Sequence, residues 1–180
     1  MTLETPRLLL RPPTLDDAPH VALLAGAKDV AATTLLIPHP YPPEAAVEWL
    51  TRVERQLAAG EGHVFCITPR DEANFVGMIG LHVQPQHAAA EMGYWLASPY
   101  WNRGYVTESA RTVLQYAFGP LGLRRVYAHH FHTNPASGRV LQKIGMLYEG
   151  CLRAHVLKWG EPMDLHSYGI LAGDPRPSSS

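Results

Sequence analysis

The sequence predicts a single mixed α+β domain, with one central sheet and helices on both of its faces. Three observations carry that expectation. Short strand-like apolar runs and stretches of helical spacing follow each other in the order β-α-α-β-β-β-α-β-α-β-β. The three consecutive strand candidates in the middle are separated by short polar turns, the pattern of an antiparallel meander. The chain has 180 residues, 46% hydrophobic and 17% charged, enough for one buried core, and no repeat or linker divides it.

Each element has a local reason. Arg7-Leu8-Leu9-Leu10-Arg11, closed by Pro12-Pro13, reads as a first strand near a sheet edge. Thr14 before Leu15-Asp16-Asp17 gives an N-cap and an acidic first turn to a helix reaching about Ala27. The prolines of Ile37–Pro43 exclude regular helix. A second helix follows, with Ala46, Leu50, Val53 and Leu57 on one face and Gly60 as its stop. His63–Thr68, Phe75–Val83 and Ala90–Leu96 are the three strands of the meander.

Val106, Ala110, Val113, Leu114 and Ala117 mark an amphipathic third helix that Gly119-Pro120 terminates. Arg125–His130 is another strand. Asn134 as cap and Pro135 at the first helical position start a fourth helix, with Val140, Leu141 and Ile144 inward and Gly145 at its end. Strands over about Met146–Val156 and Asp164–Leu171 close a domain spanning residues 1–172. Gly173–Ser180 reads as a disordered tail by composition.

Composition excludes several functions. A formal net charge of -1 lacks the basic excess of a nonspecific nucleic-acid surface. No apolar run approaches the roughly 20 residues that span a bilayer, and the start is no signal peptide, so a cytoplasmic location is expected. Cys66 and Cys151 stand far apart, which suits a reducing compartment and offers no cysteine-based zinc site.

The chemistry points to the segment Trp101-Asn102-Arg103-Gly104-Tyr105-Val106-Thr107. A helix start presents unpaired N–H groups and a positive dipole end, which phosphate oxygens satisfy where the chain can come close. Gly104 permits that approach and Arg103 adds a cation. Glu108, one turn into the helix, suits the dipole but repels phosphate unless it turns away. Alone, one glycine before a helix also describes an ordinary surface turn.

Several spellings in a fixed order narrow the choice. They are Glu4-Thr5-Pro6-Arg7-Leu8-Leu9-Leu10-Arg11, Leu15-Asp16-Asp17-Ala18, Ala90-Glu91-Met92-Gly93-Tyr94-Trp95-Leu96, Tyr100 to Glu108, Asn134-Pro135-Ala136-Ser137 with Lys143-Ile144-Gly145-Met146, and Glu149-Gly150 with Asp164. From Leu3 to about Leu171 the chain resembles the GCN5-related N-acetyltransferase (GNAT) superfamily, and within it the ribosomal-protein N-acetyltransferase (RimJ/RimL-like) branch. The resemblance implies a mostly antiparallel mixed sheet and transfer of acetyl from acetyl-CoA to a primary amine, either a protein N-terminus or a small molecule. It also implies pantetheine pairing along Leu96, Ala97 and Ser98, and pyrophosphate on the backbone amides of Arg103, Gly104, Tyr105, Val106 and Thr107. Asn134, Ser137 and Lys143 complete the implied cofactor contacts; a monomer or a homodimer fits.

The sequence departs from the superfamily pattern in this loop. Trp101 stands where Gln or Arg is usual, Asn102 where glycine is frequent, and Val106 where a small residue is usual. Neither Asn nor Val is suited to a positive φ angle, so the expected loop is tighter or slightly shifted.

Acetyl transfer needs a neutral amine, and an α-amine, with pKa near about 8, loses its proton far more readily than lysine at about 10.4. Backbone amides polarise the thioester, a base or water chain takes the amine proton, and an acid or hydrogen-bond donor meets the departing thiolate. Ser137, one turn after Asn134, is the candidate for the thiolate, as in the resembling branch; Leu141 occupies the position where other superfamily members carry tyrosine. Glu91, on the strand flanking the acetyl group, is the leading candidate base, and His82 is its rival. Tyr148 reads as packing. His129-His130-Phe131-His132 offers two histidines on one side of a strand and one on the other, without the further ligands of a metal site. A noncatalytic acyl-CoA-binding sensor module is the alternative from another class. No G-x-G-x-x-G follows a first strand, which disfavours a dinucleotide site.

Overall fold

The computed structural model describes residues 1–177. Eight strands form one sheet: β1 (Leu3–Glu4), β2 (Leu8–Arg11), β3 (Gly62–Pro69), β4 (Gly77–Gln84), β5 (Ala89–Leu96), β6 (Arg125–Phe131), β7 (Leu147–Lys158) and β8 (Glu161–Leu171). The helices are α1 (Ala18–Ala25), α2 (Lys28–Ala31), α3 (Pro43–Ala58), α4 (Tyr105–Phe118) and α5 (Pro135–Lys143). The strand order is β1-β2-β3-β4-β5-β6-β8-β7, antiparallel except where β5 meets β6. This is the mixed fold and the element order that the sequence predicts, with one strand and one helix added.

The additions are the shortest elements. The two-residue β1 and four-residue α2 hold too few residues to show a period. The strand at Leu8 is consequently second from the edge, paired with both β1 and β3. The first helix begins with a 3-10 turn at Leu15–Asp17, where the Asp17 carboxylate accepts the Thr14 N–H at 2.8 Å. It ends at Ala25, two residues earlier than expected, because the chain turns at Gly26 into α2. On α3 the buried residues are Ala46, Leu50 and Val53, while Leu57 is exposed.

Side-chain alternation along the strands divides the core into two layers. On one face Leu8, Leu10, Ile79, Leu81, Ala90 and Met92 pack under Val113, Leu114 and Ala117 of α4 and Leu141 of α5. On the other, Cys66, Met78 and Trp95 pack against Ala18 and Val21 of α1 and Ala46 and Leu50 of α3. Burial pushes the Cys66 thiol up to about 12, so it stays a neutral core residue.

Along 173–177 the chain forms no helix or strand. The Asp174 carboxylate accepts the Leu171 N–H at 2.8 Å, and the Arg176 guanidinium lies 4.8 Å from the centre of the Phe118 ring. Residues 178–180, the last part of the expected tail, lie outside the described residues.

Candidate active site

The sheet opens where β5 and β6 separate. These strands pair at only Ala89↔Arg125, Ala90↔Val126 and Glu91↔Tyr127, and β6 continues against β8 while β5 continues against β4. Ala97 donates its N–H to Val76 C=O at 2.8 Å. By two-residue alternation the backbone groups of Met92, Tyr94 and Leu96 point the other way, into the opening. An extended ligand laid along this edge meets hydrogen-bonding groups spaced as in an added strand.

At the top of that edge lies the loop before α4. Gly104 sits at φ 79, ψ 4 and is the N-cap of α4, a left-handed conformation that glycine adopts without steric cost. Asn102 is left-handed too, at φ 61. That corrects the expectation that Asn is ill suited here, since a short polar side chain tolerates this region better than most residues do. Val106 lies within α4 and needs no positive φ. The N–H groups of Tyr105, Val106 and Thr107 form the first turn of α4, where no carbonyl of the helix precedes them.

Glu108 is turned away from this cradle. Its carboxylate accepts Thr5 Oγ1–H at 2.6 Å, the Arg7 N–H at 2.9 Å and Arg7 Nε–H at 2.7 Å. Burial alone raises its pKa, yet these hydrogen bonds and the Arg7 charge outweigh it and hold the carboxyl below its ordinary value. Arg7 also donates to Arg103 C=O at 3.1 Å and covers the Tyr105 ring. The N-terminal hairpin thus pins the loop, while the exposed Arg103 guanidinium rests on Tyr100.

Leu96–Ser98 is largely engaged. Trp101 Nε1–H donates to Leu96 C=O at 2.7 Å. Ala97 C=O and Ser98 C=O accept from the N–H groups of Tyr100 and Trp101, which leaves the Leu96 and Ser98 amides. Trp101, the departure from the superfamily pattern, therefore ties the loop to the end of β5.

Across the opening, Asn134 caps α5: its Oδ1 accepts the Ser137 N–H at 3.3 Å. Ser137 Oγ lies 2.7 Å from Tyr94 Oη. Burial pushes the Tyr94 phenol up to about 12, against a smaller opposing effect of the Ser137 hydrogen bond. Sequence reasoning missed Tyr94, which looks like one more core aromatic on a buried strand. The one available signal is that Tyr94 shares its strand face with Met92, the face that α4 and α5 cover.

Glu91 and His82 emerge on the opposite face and are direct cross-strand partners. Tyr127, the β6 partner of Glu91, accepts a hydrogen bond from Gln84 Nε2 at 2.9 Å. Lys143 lies exposed in the last turn of α5, two turns from Ser137, and its carbonyl accepts from Arg111. Loop and Ser137 are thus brought to one opening, and Glu91 and His82 to the opposite face of β5.

The histidine run splits as strand alternation requires. His130 Nδ1 donates to Phe131 C=O at 2.8 Å and its ring stacks on His166 at 5.2 Å, against Gly138 of α5. Burial, with the nearby His166, lowers the His130 pKa despite the Phe131 carbonyl. His129 faces the Glu91 side, at 5.6 Å from the Tyr127 ring. Tyr148 packs on Tyr168 and His166. Among the described residues no group of three His, Cys, Asp or Glu is placed to hold a metal ion, and no helix is long and apolar enough to cross a membrane.

Two segments distant in sequence meet through Lys158. Lys158, at the end of β7, is 7% exposed, and its ammonium donates to Ile37 C=O at 2.9 Å and Leu35 C=O at 3.4 Å. The hairpin of β7 and β8 is thereby clasped to the connector between α2 and α3.

Comparison with known proteins identifies the family and the fold. The sequence model of the acetyltransferase (GNAT) domain family matches residues 7–147. An uncharacterized N-acetyltransferase of Bacillus subtilis, YoaA, is 32% identical over 170 residues, 94% of this chain and 96% of its own. A GNAT-family acetyltransferase from Bacillus anthracis superposes with a TM-score of 0.84 at 26% identity, covering 97% of this chain and 100% of that one. RimL, the ribosomal L7/L12 α-N-protein acetyltransferase solved with coenzyme A, has the same fold: TM-score 0.87, 18% identity, 95% of this chain and 98% of that one.

Proposed function

The chain belongs to the GNAT acetyltransferase family, whose members bind acetyl-CoA, and we propose that it moves the acetyl group directly to a primary amine, with a protein N-terminal α-amine as the favoured acceptor. The observation that carries this reading is the open edge of β5 from Met92 to Leu96, which runs between the Gly104 loop and Ser137 and ends beside Glu91. Bound acetyl-CoA supplies an activated thioester. The residues present fit it: two left-handed positions in one loop, Asn102 and Gly104, lead into the first amides of α4, and the open edge supplies strand-like backbone groups.

Within this reading the amides of Arg103 to Thr107 hold the pyrophosphate. The Leu96 and Ser98 amides, Asn134 and the outward groups of Met92 and Tyr94 orient the pantetheine arm. An N–H of the open edge polarises the thioester carbonyl, because a donor fixed in the sheet needs no reorganisation as charge develops. Glu91 accepts the amine proton from the opposite face, directly or through water, with His82 beside it. Ser137 Oγ meets the thiolate at the N-terminus of α5, whose dipole also favours negative charge. Lys143 would reach the cofactor only at its periphery.

An α-amine is favoured because it is neutral more often at physiological pH than lysine; the structural likeness to RimL supports the same acceptor class. The free Cys66 and Cys151 suit a reducing cytoplasm. The test is release of free CoA from acetyl-CoA against a panel of amines, including peptides with free N-termini. Turnover on the peptides supports the proposal. Tight binding without any CoA release supports the sensor module instead.

A further inference from the structure

We propose that Tyr94 is a positioning residue for Ser137: its phenol donates to Ser137 Oγ, so that the serine's own proton is aimed at the departing thiolate. The inference rests on the acetyltransferase reading of the same site. Tyr94 Oη lies 2.7 Å from Ser137 Oγ and 3.3 Å from Ser137 C=O. A phenol has one proton to give, and the nearer oxygen is the hydroxyl.

The need for a second hydroxyl follows from where Ser137 stands. In the first turn of a helix, a serine hydroxyl is drawn to nearby backbone groups, a competition that turns its proton away from any ligand. The phenol fills an acceptor site on Oγ and leaves the serine proton facing the opening between β5 and β6. Tyr94 is itself fixed, because β5 pairs with β4 along its whole length. Ser137 is fixed too, with its N–H directed at Asn134 Oδ1.

The step balances without a proton from tyrosine. The amine nitrogen bonds to the acyl carbon, the carbon–sulfur bond breaks, and its electron pair stays on sulfur. The amine proton passes to Glu91 or water. Ser137 keeps its proton and donates a hydrogen bond, since an alcohol is a far weaker acid than a thiol. Tyr94 stays protonated through neutral pH and acts only as a donor.

The experiment pairs kinetics with a spectroscopic readout. Tyr94→Phe should lower kcat about five- to tenfold, the scale of one net hydrogen bond, with KM for acetyl-CoA unchanged. In a Ser137→Ala background the same substitution should change nothing further, because the partner is gone. With 13Cζ-labelled tyrosine, added CoA should shift the Tyr94 resonance in the wild type and leave it in place in Ser137→Ala. An unchanged kcat in Tyr94→Phe, additive losses in the double variant, or a Tyr94 resonance indifferent to CoA each overturns the proposal. Should the wild type release no CoA against any amine, the acetyltransferase reading fails and takes this one with it. An active wild type with an indifferent Tyr94→Phe overturns only the role of Tyr94.

Discussion

Glu91 and His82 face each other as one register pair of β5 and β4, on the side of the sheet away from Ser137. The two rival candidate bases are therefore neighbours, and under the proposed mechanism the base and the leaving thiol would lie on opposite faces of one strand. Under that proposal the amine would approach from the side opposite the thiol.

The pair separates under substitution. Glu91→Gln should lower turnover by about 10² and abolish the acid limb of the pH–rate profile, as removal of a general base does. His82→Gln should preserve the shape of the profile. Reversal of these two results would make His82 the base, and an unaltered profile in Glu91→Gln would remove Glu91 from the mechanism.

Ser137→Ala should reduce kcat about tenfold or more while acetyl-CoA affinity stays nearly constant, since its hydroxyl matters most once charge reaches sulfur. Calorimetric titration with CoA beside steady-state kinetics checks both halves. Equal losses in affinity and kcat would point to a binding role alone.

Trp101→Phe removes the indole N–H from Leu96 C=O and frees the loop from the end of β5. Loss of one hydrogen bond predicts about fivefold weaker acetyl-CoA binding, with kcat at saturation unchanged. Tighter binding in this variant would mean that the indole competes for the carbonyl that the cofactor uses.

Glu108 carries a pH prediction. Its carboxyl is held below its ordinary value by Thr5 and Arg7 despite burial. A carboxylate with a depressed folded-state pKa adds stability above its unfolded pKa, and that stability is lost as pH falls through the folded value. Melting temperature should therefore drop on acidification below the ordinary glutamate range, and Glu108→Gln should flatten that limb. The same variant should be less stable than the wild type at pH 7, with thermal melts across pH as the check.

The order of elements was legible because the longer helices carry end signals. Asn134-Pro135 and Gly145 bracket α5, and Gly60 follows α3, each in the cap chemistry that its backbone requires. The loop at Gly104 read as a candidate phosphate site only beside its flanking motifs. Four features left no local trace. The parting of β5 from β6 after Glu91 depends on two strands distant in sequence, and nothing within Met92–Leu96 marks it. Tyr94 gains its meaning from Ser137, a partner 43 residues away. Asn102 in a left-handed conformation replaces a frequent glycine with the residue type that best imitates it, a substitution that reads as a loss until the backbone is seen. Arg176 stacked on Phe118 likewise depends on a surface that the tail's own composition does not mention.

The brief pairing of β5 with β6 also bears on energetics. Three register pairs join the halves of the sheet at this seam, and the Lys158 clasp links them again at the periphery. A ligand lodged along the seam bonds to the native chain alone, so its binding free energy adds to folding stability by mass action. Saturating CoA should thus act as a stapling agent, slowing amide exchange on both sides of the seam at once. The resilience of the protein in a cell would then follow the local acyl-CoA concentration.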